Sequence, residues 1–84
     1  MIRILYFARL RESLGVAEER LALPPEVAVA ADLVAYLRRR GEPWTAALGE
    51  DGRVLIAVNQ SLAQPQAPVR DGDEVALFPP VTGG

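Results

Sequence analysis

Only one segment of this 84-residue chain carries a helical period of any length. Leu33, Tyr36, Leu37 and Arg40 fall at i, i+3, i+4 and i+7, with Val29 and Ala30 one turn earlier, and Gly41 follows where a capping glycine belongs. The spacing predicts an amphipathic helix over 28–40. The other apolar stretches read mainly as strands. A chain with one substantial helix and several strands has few ways to hide its apolar surface; the simplest is an α+β layer pair, the helix lying on one face of a sheet. The length leaves room for one domain. A domain of this size buries roughly 60–65% of its unfolded surface, enough for one modest core. Half of the residues are hydrophobic and 24% are charged, a globular balance.

The first strand is predicted over 2–8, IRILYFA. Ile2, Ile4 and Tyr6 point one way and Arg3, Leu5 and Phe7 the other, which predicts a central strand at least partly covered on both sides. Residues 9–15 can form one helical turn stopped by Gly15. Leu21 and Leu23 then alternate against Glu18 and Arg20, as in a half-buried strand forming the second arm of a hairpin, and Pro24-Pro25 ends it. Residues 43–48 suit a second short helix with Pro43 at its first position. Asp51-Gly52, Asn59-Gln60 and Asp71-Gly72 read as turns, 53–58 and 74–79 as strands, and 61–70, with Pro65 and Pro68, as loop or edge. If the last strand lies beside the first, the two are parallel and joined by a right-handed crossover. That is the ubiquitin-like β-grasp arrangement, a mixed sheet of about five strands.

The missing residue types exclude much chemistry. With no Cys and no His there are no disulfides, zinc fingers, cysteine nucleophiles or Ser-His-Asp triads. All nine basic residues are Arg, so lysine Schiff bases and a Walker lysine are excluded as well. The net charge of −2 has the wrong sign for a general nucleic-acid binder. No apolar run approaches the ~20 residues that span a bilayer, and the opening MIRILYFARL lacks the pattern of a signal peptide, so a cytoplasmic protein is expected.

Chemistry concentrates at the end of the chain, Pro79-Pro80-Val81-Thr82-Gly83-Gly84. Two prolines cannot extend a ladder, and their fixed φ makes a stiff exit. The two glycines carry no side chains, which suits close approach to another protein's active site. A carboxylate there is ionised at neutral pH and reacts only when activated, for instance as an acyl-adenylate. A bare Gly-Gly end equally describes a frayed terminus. The expected division is a folded domain over 1–78 and an extended reactive tail over 79–84.

MIRILYFARLRESLG at the start, AVNQSL at 57–62 and DGDEVALFPPVTGG at 71–84 resemble the small, sulfur-carrier subunits of molybdopterin synthase, the MoaD family. The resemblance runs from Met1 to Gly84. It implies a β-grasp fold and a Gly84 carboxylate, next to Gly83, that an E1-like adenylating enzyme activates with ATP and converts to a thiocarboxylate. It implies sulfur delivery to a cyclic pyranopterin precursor inside the large synthase subunit, in a heterotetramer. On this reading the chain binds no metal or cofactor and has no active site of its own. Two alternatives remain: a carrier serving thiamin thiazole or cysteine synthesis, and an interaction module or protein modifier without sulfur chemistry.

The resemblance also implies a hydrophobic partner contact at Phe7, Leu62 and Phe78, with Arg11 as a candidate ion-pair partner and Pro79, Pro80, Val81 and Thr82 threading into the large subunit. Physical argument points the same way for the aromatics, because one helix cannot cover both faces of a sheet. Arg38, Arg39 and Arg40 read as a solvated helix end whose cations suit the negative pole of the dipole. Asp71, Asp73 and Glu74 read as turn residues, Gly49-Glu50-Asp51-Gly52 as a turn rather than a phosphate loop, and the sequon Asn59-Gln60-Ser61 as unused.

Overall fold

A computed structural model describes residues 1–49 and 54–79. Among them are five strands, β1 (Ile2–Tyr6), β2 (Glu18–Leu21), β3 (Leu55–Val58), β4 (Ser61–Ala63) and β5 (Glu74–Phe78), and three helices, α1 (Ala8–Leu14), α2 (Ala30–Arg38) and α3 (Trp44–Leu48). The sheet order is β2-β1-β5-β3-β4, with β1 and β5 parallel and the other neighbours antiparallel. This is the ubiquitin-like β-grasp. Its first and last strands sit together inside the sheet, with Ile4 opposite Val75 and Tyr6 opposite Leu77.

The period-two reading of β1 decides which face is buried. Ile2, Ile4 and Tyr6 are inaccessible to solvent and pack with Val75 and Leu77 of β5 against Leu10 of α1, Leu33, Val34 and Leu37 of α2, and Leu48 of α3. All three helices therefore share one face of the sheet. The other face is not covered as expected: Arg3 and Phe7 are exposed and Leu5 is half-buried. The helices have no remaining length to cross to it.

Local signals account for most element ends. Gly15 closes α1 in the left-handed region at φ 73°, donating its N–H to the Arg11 carbonyl. Asn59 and Gln60 both have positive φ, 50° and 70°, the conformation of a two-residue turn that matches strand twist. The strain at Asn59 is held by its side chain, which donates to Asp73 Oδ1 and accepts from the Glu74 N–H, both at 3.0 Å. The Asp71-Gly72 turn lies ahead of β5, and Asp73 caps it by accepting the Arg70 N–H at 2.8 Å. The turn expected at Asp51-Gly52, with Glu50 and the first residue of the strand expected over 53–58, lies outside the described residues.

Helix α2 is shorter than its apolar period at both ends. Ala28 and Val29 are held extended by the loop that follows β4: Val29 bridges Pro68, and Ala28 accepts the Val69 N–H at 3.0 Å. The free N–H groups of Ala30 and Ala31 then find the carbonyls of Ala67 and Pro65 at 2.9 and 2.8 Å. Asp32 adds a back-bond to the N–H groups of Ala28 and Val29; Val29 has no acceptor with which to reciprocate. At the far end Arg39 is the cap, in the right-handed region, and Gly41 turns the chain only later, at φ 90°.

Arg40 departs from the solvated helix end expected of Arg38–Arg40. Its guanidinium forks onto Glu19 of β2 at 2.8 and 3.0 Å and lies 4.6 Å from the centre of the Trp44 ring. Tyr6, buried beneath, donates its hydroxyl to the same carboxylate at 3.0 Å and meets Trp44 edge-on at 5.5 Å. The Arg40 bond holds the Glu19 carboxyl below its ordinary range, and burial, with the charge of Glu19, pushes the Tyr6 phenol far up. This network ties β2 to the segment between α2 and α3.

Glu19→Gln should therefore cost ~1–2 kcal/mol at neutral pH, the scale of a hydrogen bond to a charged group, ~1.5–3 kcal/mol, reduced because solvent screens the partly exposed carboxylate. Because the folded-state pKa of Glu19 is depressed, its contribution is complete above the unfolded value of ~4.3 and fades as pH falls through the lower folded value. Thermal unfolding at pH 7 and near pH 3 should show a gap between wild type and variant that closes in acid. A gap independent of pH would mean that the ion pair is not its source.

Candidate docking face and chain exit

The face of the sheet away from the helices is built from the alternate residues of each strand. Leu5 and Phe7 come from β1 and the residue after it, Ala76 and Phe78 from β5, Leu55 and Ala57 from β3, and Leu62 from β4. Register sets their neighbours: Leu5 faces Ala76, Ala57 sits between Ala76 and Leu62, and Leu55 faces Phe78. Two alanines in the middle make a low floor. Larger side chains stand around it, so that Leu5, Phe7, Ala57, Gln60, Leu62, Glu74, Ala76 and Phe78 line a groove of about 370 Å³.

Exposure separates this face from the core. Phe7 is 39%, Leu55 41% and Leu62 80% exposed. Phe7 and Phe78 stack nearly parallel, with ring centres 4.8 Å apart and planes 8° from each other. Stacking steadies both rings without hiding them, leaving a rigid aromatic surface that loses little entropy on binding. Charge gathers at the other end of the face, where Arg3, opposite the groove residue Glu74, pairs with Glu18 at 2.8 Å. An apolar patch with a polar margin is the anatomy of a protein-docking surface.

The chain leaves the sheet beside this patch. Phe78 ends β5, and Pro79, half-buried, follows it. Phe7, Leu62 and Phe78 thus fall on one face, and Pro79 adjoins them. Arg11 is exposed on α1, one turn beyond Phe7, whose carbonyl accepts its N–H at 3.4 Å. Pro80, Val81, Thr82, Gly83 and Gly84 lie outside the described residues. Sequence reasoning missed Leu5, Leu55, Ala57, Gln60 and Ala76. Leu5 and Ala76 carried a signal in their i, i+2 spacing from Phe7 and Phe78, whereas Leu55, Ala57 and Gln60 carry meaning only once three strands are known to adjoin.

If this face serves docking rather than folding, its residues should be cheap to change. Leu62→Ser should alter the unfolding free energy by less than ~0.5 kcal/mol. Leu77→Ala, on the same sheet but facing the helices, should cost ~2–5 kcal/mol. Chemical denaturation of both variants checks this, and a loss at Leu62 comparable to that at Leu77 would assign the open face to the core.

Comparison with known proteins covers the whole chain. A model described as the ThiS family matches residues 4–84. The molybdopterin synthase sulfur carrier subunit of Escherichia coli (strain K12) is 47% identical over 85 residues, with 100% of both chains covered. The subunit of the same name from Haemophilus influenzae is 42% identical over 84 residues, again with 100% of both chains covered. In a solved complex of subunits 1 and 2 of the molybdopterin-converting factor from Helicobacter pylori, one chain matches with a TM-score of 0.61 and 27% identity, covering 99% of this chain and 97% of that one.

Proposed function

The chain belongs to the ThiS family, and from that premise we propose that it is the sulfur-carrier subunit of a molybdopterin synthase. The observation that carries the reading is the position of Phe78. It stacks on Phe7 in the open face and immediately precedes the terminal segment, so a partner that grips this face also receives the tail. The names of the two curated relatives favour molybdopterin synthesis over the other products served by carriers of this kind.

On this reading residues 1–78 are a docking scaffold and 79–84 an extended arm, with Pro79, Pro80, Val81 and Thr82 bridging to the reactive end. The Gly84 carboxylate attacks the α-phosphate of ATP held by an E1-like enzyme, forming an acyl-adenylate and releasing pyrophosphate. Hydrosulfide, or a donor carrying sulfur at the same oxidation level, then attacks the acyl carbon; the carbon–oxygen bond to AMP breaks, AMP leaves, and a thiocarboxylate remains. In the large synthase subunit this sulfur forms a carbon–sulfur bond to a carbon of the pterin precursor as a carbon–oxygen bond at that carbon breaks and the oxygen leaves; water then cleaves the acyl carbon–sulfur bond, which restores the carboxylate and leaves the sulfur on the pterin. Gly83 and Gly84 let the backbone pass through a narrow channel. This chain contributes the reacting carboxyl and the docking face; its partners contribute the catalytic groups and the ATP site. A cytoplasmic setting goes with this reading, and no helix among the described residues is long and apolar enough to cross a membrane.

Incubation with the activating enzyme, ATP and a sulfur source should add the mass of one oxygen-to-sulfur exchange, located at Gly84 by fragmentation. Deleting Gly84 draws the carboxyl back by ~3.3–3.6 Å, which should leave the melting temperature unchanged and abolish transfer. Sulfur found at another residue, or full turnover by the truncated chain, would refute the carrier reading.

Phe78→Ala tests the docking half. A buried interface aromatic typically contributes ≥ 2 kcal/mol when it is a hot spot, which corresponds to a loss of about thirtyfold in affinity. Titration with the large subunit should give at least that loss while the variant remains folded. Unchanged affinity would move the contact away from Phe78.

A further inference from the structure

The backbone at Ala8 is unusual. Its φ is 54°, in the left-handed region, which is uncommon for any residue but glycine. Asn59 and Gln60 share this feature, and the turn between β3 and β4 accounts for both. Ala8 belongs to no hairpin turn, and its methyl group has no polar atom with which to hold the conformation. The elements on either side hold it. Phe7, just before it, is fixed at both backbone groups. Its N–H donates to the Leu77 carbonyl of β5 at 3.2 Å, and its carbonyl accepts the N–H groups of Leu10 and Arg11 at 3.2 and 3.4 Å. Two residues further on, buried Leu10 anchors α1 in the core. The chain thus passes from the parallel ladder into a helix within one residue, and Ala8 takes the change of direction.

We propose that Ala8, through its left-handed conformation, is a positioning residue for docking, holding Phe7 in the open face so that its ring lies on Phe78. The inference rests on the docking half of the reading above and goes beyond it, since Ala8 lines no part of the groove and acts through its neighbour. Phe7 is extended, with φ −124° and ψ 155°. That carries the alternation of β1 one residue past its end and turns the Phe7 side chain away from the buried side taken by Tyr6. The ring then stacks on Phe78. With residue 8 in the right-handed region, α1 would leave β1 in another direction, and either Phe7 or Leu10 would have to give way. Leu10 is 3% exposed and Phe7 39%, so the aromatic yields and the core keeps its packing. Backbone strain that a fold maintains at a recognition surface is a means of pre-organisation. The ring is set before a partner arrives, and little entropy is lost on docking.

Substitutions at this exposed position can separate left-handed preference from side-chain chemistry. Glycine enters the region freely, asparagine is polar but enters it more readily than most residues, and valine is apolar but β-branched and resists it. Ala8→Gly and Ala8→Asn should keep the nuclear Overhauser contacts between the Phe7 and Phe78 rings and the wild-type Kd for the large subunit. Ala8→Val should lose those contacts and bind at least ~tenfold more weakly, as when an interface aromatic is displaced, with the packing of Ile4, Tyr6 and Leu10 unchanged. Ala8→Leu, branched one carbon further out, should fall between them and carries the test if the valine variant does not fold. A purely structural role would lower the melting temperature of the valine and leucine variants and leave ring contacts and Kd as in wild type, which would overturn the proposal. Weak binding by the asparagine variant beside tight binding by the valine variant would mean that side chain 8 itself touches the partner, and would overturn it too. Either result leaves the docking reading standing; absence of binding by the wild-type chain would overturn both.

Discussion

The parallel ladder between β1 and β5 is the contact on which the rest of the structure depends. It joins residues 3–6 to 74–77, nearly the full length of the chain apart. Closing so long a loop costs entropy before any contact rewards it. The return comes from one side of the ladder, where Ile2, Ile4, Tyr6, Val75 and Leu77 meet the helices with almost no exposed surface. Once it forms, three features follow without further specification. Phe7 comes beside Phe78, Ala76 beside Leu5, and the chain leaves the sheet next to α1, the helix that follows β1.

On the proposed reading the two faces of the sheet divide stability from recognition. Period-two alternation sends Ile2, Ile4, Tyr6, Ile56, Val75 and Leu77 to the helices and Leu5, Phe7, Leu55, Ala57, Leu62, Ala76 and Phe78 to the other side. The alanines at 57 and 76 matter as much as the aromatics, because a low floor between tall walls is what makes a groove. The charged network of Glu19, Arg40 and Tyr6 lies on the helix side, where it fastens β2 to the turn between α2 and α3. The open face is left nearly free of charge at the end where the chain departs. A partner seated there desolvates few polar groups, which favours affinity.

Several elements were legible from local sequence because local geometry fixes them. Gly15 stops α1, Asn59-Gln60 turns β3 into β4, and the alternation of 2–7 names the buried triad of Ile2, Ile4 and Tyr6. Each is a matter of φ or of side-chain period, and a short window contains the whole cause. The ends of α2 were misjudged for the opposite reason. Its first turn is capped by carbonyls of Pro65 and Ala67, more than thirty residues away, and the bridge from Val29 to Pro68 holds Ala28 and Val29 outside the helix. Arg40 was misjudged similarly: its helical spacing was seen, but the carboxylate that draws it inward belongs to β2.

Of the candidate site, the sequence by itself determined the apolar character of Phe7, Leu62 and Phe78 and the proline that follows the last strand. Tertiary structure decided that Phe7, Leu62 and Phe78 share one face, that Ala57 and Ala76 floor it, and that Ala8 makes the left-handed step from β1 into α1. The reason is physical. Periodicity and turn chemistry are written in neighbouring residues, whereas the choice of which strand lies beside which is made by apolar area summed over the whole chain. No single segment holds that sum, so a groove formed by four strands exists only after the chain has closed on itself.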